Sequence, residues 1–94
     1  MTLKIKRIVG KRKTRLCLSG QLRSDSVDAV KSEIDRSRPR VVLDLREVDL
    51  VDIDAVRFLS ACASAGVAIL HVSPYIREWM LQERDRPKDH TEVG

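Results

Sequence analysis

The residues best suited to binding or catalysis by their type and spacing are four aspartates in the middle of the chain, Asp44, Asp49, Asp52 and Asp54. Grouped carboxylates can bind a divalent cation, act as nucleophiles toward a phosphoryl group, or hold the first turn of a helix. No spacing among these four fits a known metal-binding loop, so we predict no metal site. Asp52 is predicted to cap the helix that follows, and the helix dipole favours Asp54 in its first turn. These structural roles leave a second role open.

The other reactive side chains form no catalytic pattern. His71 is predicted at the end of a strand and His90 in a charged C-terminal segment, and neither lies near a candidate nucleophile. Cys17 and Cys62 are predicted as small apolar residues on the faces of their elements, without disulfide or zinc spacing. The glycines are isolated and form no phosphate-binding loop. The sequence therefore predicts no enzyme, no catalytic residues and no cofactor.

The spacing of apolar residues predicts the elements that position these aspartates. They are strands over 3–8 and 14–19, a helix over 27–36, a strand over 41–45, a helix over 54–65, a strand over 67–72 and a helix from Pro74. Gly20 is predicted to end the second strand, and Ser24 or Ser26 to cap the first helix. Gly66 is predicted to end the second helix, and Ser73 to cap the last.

The predicted element order is β-β-α-β-α-β-α, which indicates a single α/β domain with a mixed β-sheet and helices packed on it. The first two strands form a hairpin with a turn near 9–12, and the nearly continuous apolar run 41–45 is typical of an interior parallel strand. An Asp- and Val-rich connection follows that strand, at the edge of the sheet where partners gather. We predict a domain over 1–82 and a flexible charged tail over 83–94.

Length and composition agree with one folded domain. The chain has 94 residues, a net charge of +4, 43% hydrophobic and 34% charged residues, which excludes a disordered chain. The cationic N-terminal segment lacks an apolar run behind it, so we predict no signal peptide and a cytoplasmic location. The uncharged segment 58–76 is long enough to cross a membrane, but Gly66 and Pro74 divide it into shorter elements.

The positive charge is concentrated on the predicted hairpin. Seven of the 18 cationic residues lie there: Lys4, Lys6, Arg7, Lys11, Arg12, Lys13 and Arg15. Nucleic-acid binding needs such charge, but single-strand binders add stacking aromatics, and Phe58, Tyr75 and Trp79 all lie in the other half of the chain. The pattern favours a solvated surface or one that faces an acidic partner, and we predict no nucleic-acid binding.

Several short pieces of the chain follow one another in the order of a known family. They are Leu16-Cys-Leu-Ser-Gly-Gln-Leu22, Val41-Val-Leu-Asp-Leu45, Val48-Asp-Leu-Val-Asp52, Gly66-Val-Ala-Ile-Leu70 and Val72-Ser-Pro74. In this order they resemble a STAS domain, the module of anti-sigma factor antagonists and of sulfate-transporter tails. The resemblance covers residues 16–80, about two thirds of the chain, and implies that residues 1–82 form a STAS-like domain.

The resemblance also locates a regulatory position. The family motif is Asp-Ser-Ser-Gly-Leu at the start of the second helix, and a partner kinase phosphorylates its second serine. The aligned residues here run from Asp52 to Val56, so the resemblance implies that Asp54 occupies the phosphoacceptor position and Ala55 replaces the glycine. A serine kinase cannot phosphorylate a carboxylate in this way. Asp54 carries one negative charge, against about 1.5 to 2 for phosphoserine, and mimics it only in part.

By this resemblance, the protein is a non-catalytic interaction module of bacterial signalling and transcription regulation, without a serine switch. The implied partner is an anti-sigma factor with serine kinase activity; a transporter ATPase or a signalling scaffold is the alternative, and a homodimer stays open. The predicted contact surface joins the turn after the second strand to the start of the second helix, and consists of Gln21, Arg23, Ser24, Asp52, Ile53, Asp54 and Arg57. If Ile53 is exposed, it would serve as an apolar anchor.

A third alternative is a receiver-like protein that accepts a phosphoryl group on Asp54 or Asp44. The chain is short for such a protein, and no acidic pair precedes the first helix to hold magnesium.

Overall fold

The computed structural model describes residues 3–85, which form four strands and three helices in the predicted order β-β-α-β-α-β-α. The elements are β1 (Leu3–Val9), β2 (Thr14–Leu22), α1 (Ser24–Ser37), β3 (Val41–Val51), α2 (Ile53–Ser64), β4 (Ala68–Leu70) and α3 (Pro74–Asp85). The helix α3 includes the first three residues of the predicted tail 83–94, and residues 86–94 lie outside the described residues.

The four strands form one mixed sheet in the order β1-β2-β3-β4. β1 and β2 are the antiparallel arms of the predicted hairpin, whereas β2, β3 and β4 run parallel to one another. A parallel neighbour requires a crossover, and α1 and α2 supply the two crossovers between these strands. Consequently α1 and α2 both begin where parallel strands end, at one edge of the sheet, and both finish at the opposite edge.

One apolar core lies between the sheet and the helices. Leu16 pairs in register with Leu43, and both are fully buried on the face that the helices cover. All three helices contribute to the same buried cluster, through residues such as Val30, Leu59 and Ile76. Because successive strand residues point to opposite faces, Arg15, Cys17 and Asp44 lie on the other face of the sheet.

Two predicted strand ends in the centre of the sheet are wrong. β2 does not stop at Gly20 but continues to Leu22, and β3 does not stop at Leu45 but continues to Val51. Gly20 has φ +100° next to a shift in the register between β2 and β3, so the glycine forms an irregularity inside the strand rather than its end. The predicted Asp- and Val-rich connection is therefore strand, because the extension of β2 supplies its hydrogen-bonding partner.

The helix ends agree with the sequence prediction in three of four cases. Asp52 caps α2, and the amide of Ile76 donates to Ser73 Oγ at 3.3 Å at the start of α3. Gly66 ends α2 with φ +97°, and its amide and that of Val67 donate to the carbonyls of Ala63 and Cys62. The predicted serine cap of α1 is wrong: its N-cap is Arg23, without a side-chain cap hydrogen bond.

The uncharged segment 58–76 divides among α2, β4 and the first residues of α3, as the glycine and proline positions predict. Within residues 3–85, no helix is both long and apolar enough to cross a membrane.

Candidate interaction surface

The predicted contact residues come together because the last residues of two parallel strands are register partners. Leu22 at the end of β2 pairs with Val51 at the end of β3. The residues that follow each strand, Arg23 and Ser24 on one side and Asp52 on the other, are therefore neighbours in space although 28 positions separate Ser24 from Asp52. A helix begins directly after each of these strands, α1 after β2 and α2 after β3. This edge of the sheet therefore presents two helix N-termini.

Asp52 holds both of these N-termini with one carboxylate. Its Oδ1 accepts a hydrogen bond from the amide of Ala55 at 2.9 Å, the usual contact of an N-cap side chain with the third residue of its helix. Its Oδ2 accepts a hydrogen bond from the amide of Ser24 at 2.8 Å. Asp52 thus caps α2 directly and also supplies α1 with the cap that Arg23 lacks.

The protonation of Asp52 reflects these contacts. Burial by itself would raise the pKa of Asp52, because it disfavours the charged form. The amides of Ser24 and Ala55 donate to the ionised carboxylate, the charge of Arg23 adds to their effect, and together they lower the pKa below its ordinary value of 3.8. Asp52 is therefore a structural anion at neutral pH.

Asp54 is exposed in the first turn of α2 and lines a groove between α1 and α2 with a volume of about 460 Å³. The apolar part of this groove includes Val27, Phe58 and the edge of Cys62. Lys31 on α1 and Arg57 on α2 contribute charge of the opposite sign to Asp54. The groove offers a partner an apolar contact beside the exposed carboxylates of Asp54 and Asp35.

Arg57 has a structural contact that the sequence analysis misses. Its Nε donates to Glu83 Oε1 at 3.2 Å, which links α2 to α3. The side chain of Glu83 is only 8% exposed, although the sequence prediction places it in the charged tail. Antiparallel packing of α2 and α3 produces this pair, and no local sequence signal marks it.

A second cavity of about 460 Å³ lies where β3 ends beside the start of α1. Arg23, Ser24 and Asp52 line it together with three residues that are not among the predicted contact residues, Asp25, Leu50 and Val51. Leu50 is an exposed apolar side chain on β3, and it escapes prediction because this part of β3 is expected to be a loop.

The two remaining predicted contact residues line neither cavity. Gln21 is half-buried in β2 and pairs with Leu50, and Ile53 is half-buried in the first turn of α2. Ile53 therefore exposes only part of its side chain. The other predicted contact residues are divided between two concave areas, with Asp52 at the N-termini of both α1 and α2.

Asp44, the alternative phosphoacceptor, has a buried environment. Its Oδ1 accepts a hydrogen bond from the amide of Arg46 at 3.0 Å, and its Oδ2 lies 3.8 Å from Arg15 Nη1 and 4.0 Å from His71 Nε2. The guanidinium of Arg46 lies 3.1 Å from the same ring nitrogen, and since a guanidinium only donates, His71 Nε2 acts as the acceptor. Among residues 3–85, no group of His, Cys, Asp and Glu side chains is arranged to hold a metal ion.

The two cysteines have structural environments. Cys62 is buried in the core, and burial raises the pKa of its thiol to about 11. Such a thiol is protonated at neutral pH and is a poor nucleophile. Cys17 is half-buried in β2.

Comparison with known proteins identifies the fold of this chain. No protein-family model and no curated protein sequence matches the chain. Among solved structures, an anti-sigma factor antagonist STAS domain from Rhodobacter sphaeroides superposes with a TM-score of 0.58 at 24% identity, over 73% of this chain and 86% of that chain. The fold is STAS-like. An uncharacterized protein with a SpoIIAA-like fold from Shewanella loihica has a TM-score of 0.51 at 14% identity, over 88% of this chain and 77% of that chain.

These likenesses confirm the predicted fold class, a single α/β domain with a mixed sheet and helices packed on it.

Proposed function

We propose that this protein is a non-catalytic protein-binding module of bacterial signalling, similar in role to an anti-sigma factor antagonist, and that it works in the cytoplasm. Its partner binds the surface that carries Gln21, Arg23, Ser24, Asp52, Ile53, Asp54 and Arg57. The similarity of the fold to an anti-sigma factor antagonist domain supports this role. We choose this surface because Asp54 is exposed in the first turn of α2, beside an apolar groove.

Asp54 acts in this proposal as a permanent charge where the resembled family has a switchable serine. The neighbouring Asp52 accepts hydrogen bonds from two backbone amides and has a structural role. Asp54 is therefore the aspartate of this pair that a partner contacts. A single carboxylate has less charge than a phosphate, so the module is held near one binding state without a kinase. Serine phosphorylation does not switch it.

The decisive experiment begins with capture of a binding protein from an extract of the source cells by the purified, tagged protein. Calorimetric titration with the purified binder then compares the wild type with Asp54→Ser and Asp54→Ala. A serine kinase partner is expected to bind Asp54→Ser roughly five- to tenfold more tightly, since one interfacial charge contributes on the order of 1 kcal/mol. With ATP, it should also phosphorylate the introduced serine.

Asp28→Ser is the matched control, because Asp28 is an exposed aspartate on α1 that lines neither cavity. It is expected to leave affinity unchanged and to gain no phosphate. A transporter ATPase or scaffold partner would respond to Asp54→Ala and Asp54→Ser alike, without phosphorylation. Affinity that is indifferent to substitutions at Asp52, Asp54 and Arg57 would exclude this surface.

A further inference from the structure

The other edge of the parallel sheet, where β2 and β3 begin, brings two cationic segments together. The amide of Thr14 donates to the carbonyl of Arg40 at 2.9 Å, and Thr14 pairs in register with Val41. This contact places the β1–β2 turn, which carries Arg12 and Lys13, directly beside the connection between α1 and β3. Charges that lie far apart in the sequence therefore share one surface.

A cleft of about 440 Å³ opens between these two segments and the turn that follows α2. Its charged lining residues are Arg12, Lys13, Arg38 and Arg40, and no acidic side chain lines it within the described part of the chain. We call this feature the basic cleft.

The hairpin and the loop after α1 approach without neutralising each other. Arg38 pairs with Asp35 at 3.3 Å, but both side chains are exposed, and such pairs contribute little. Asp35 offsets at most one of the four cationic side chains, so the lining of the basic cleft keeps an excess of positive charge.

The floor of the basic cleft is apolar. Ile34 and Val41 line it and are buried, and Val67 is half-buried beside them. The exposed glycine Gly66 lines the cleft where α2 ends, and no atom lies within 4 Å of the position where a Cβ would stand. The basic cleft is thus a concave site with cations around a small apolar floor and a volume typical of ligand sites.

The helix dipoles do not account for the whole cluster. α1 and α2 both finish at this edge, and their negative C-terminal ends favour nearby cations such as Arg38. Arg12 and Lys13, however, belong to the hairpin turn and lie outside either helix. The C-terminal ends of these helices present unpaired carbonyl groups and no free amides, so side chains must provide recognition of an anion here.

We propose that the basic cleft is a second docking site, which binds an acidic peptide segment of a partner protein. Carboxylates of the peptide pair with the guanidinium groups, and an aliphatic side chain of the same peptide covers the apolar floor. A nucleic acid fits less well, because Phe58, Tyr75 and Trp79 do not line the cleft and bases would have no aromatic side chain to stack on. A single inorganic anion would leave most of the cleft and its floor uncovered.

The test measures binding of a short fluorescent peptide of glutamate and leucine to the full-length protein. A peptide with glutamine in place of glutamate and a single-stranded DNA of equal net charge are the comparison ligands. We expect the acidic peptide to bind and both comparison ligands to bind at least about tenfold more weakly. The double substitution Arg12→Gln/Arg40→Gln should weaken peptide binding by about tenfold or more.

Lys4→Gln/Lys6→Gln is the matched control, since it removes the same charge from exposed positions on β1 that do not line the cleft. It should change peptide affinity by no more than about twofold. Equal losses in the two double variants, DNA binding as tight as peptide binding, or no measurable peptide binding would each overturn the proposal. Thermal unfolding of both variants verifies that they fold. Arg12 and Arg40 do not line the groove beside Asp54, so the double variant tests the basic cleft separately from the proposed function.

Discussion

The two ends of the parallel strands differ in the sign of their charge and in how that charge is used. At the end where α1 and α2 begin, Asp25, Asp52 and Asp54 lie in or beside the first turns, and Asp52 is bound by two backbone amides. At the opposite end, the cations of the basic cleft are exposed side chains around a concavity. We call these the acidic end and the basic end.

Helix polarity explains part of this contrast. The N-terminal ends of helices carry unpaired amides and favour anions, whereas the C-terminal ends favour cations. A short aspartate can reach the amides and becomes a fixed part of the structure. Long arginine and lysine side chains extend away from the backbone and stay exposed, so we expect Asp52 at the acidic end to contribute more to stability than the cations of the basic end.

The largest expected effect is that of Asp52→Ala on the free energy of unfolding. The substitution removes the cap of α2 and the acceptor for the amide of Ser24 at the start of α1. Each lost contact costs about 1 kcal/mol, so we expect a loss of about 2 kcal/mol by urea unfolding. Asp28→Ala is the control and should change stability by less than about 0.5 kcal/mol. A similar effect of both substitutions would contradict the special role of the acidic end.

A smaller effect is expected from acid. The folded-state pKa of Asp52 is lowered below 3.8, so the folded protein binds fewer protons at this site than the unfolded chain. The stabilisation from its ionised form is complete above the unfolded pKa and is lost as the pH falls through the lowered folded pKa. Urea unfolding from pH 6 to pH 2 should show a steeper decline for the wild type than for Asp52→Asn. Parallel curves for the two proteins would show that Asp52 contributes no such linkage.

The smallest effect tests the basic end, through Gly66→Ala. Gly66 has φ +97°, a conformation that costs an L-residue about 1 kcal/mol, and an added Cβ would meet no atom within 4 Å. We expect a loss of about 1 kcal/mol in urea unfolding, without loss of acidic-peptide binding. Gly66→Asn should lose less, since asparagine tolerates this backbone region better. An equal or larger loss for asparagine would indicate a steric cause instead of a conformational one.

The sequence predicts local features well because their causes are local. Asp52 and Ser73 are recognised as caps because each directly precedes an apolar helix pattern. Gly66 is recognised as a helix end because it directly follows such a pattern. The alternation in β1 and β2 likewise predicts the hairpin. The extension of β3 to Val51 is missed, because its hydrogen-bonding partner is the part of β2 beyond Gly20.

What the sequence by itself determined is the order of strands and helices, the caps at Asp52 and Ser73, and the helix end at Gly66. Each of these depends on residue type and short-range periodicity. Only the tertiary structure decided that Asp52 serves two helices, that Arg57 contacts Glu83, and that the hairpin turn and the α1–β3 connection together form the basic cleft. The physical reason is that the parallel register of β2 and β3 brings distant segments together at both ends of the sheet.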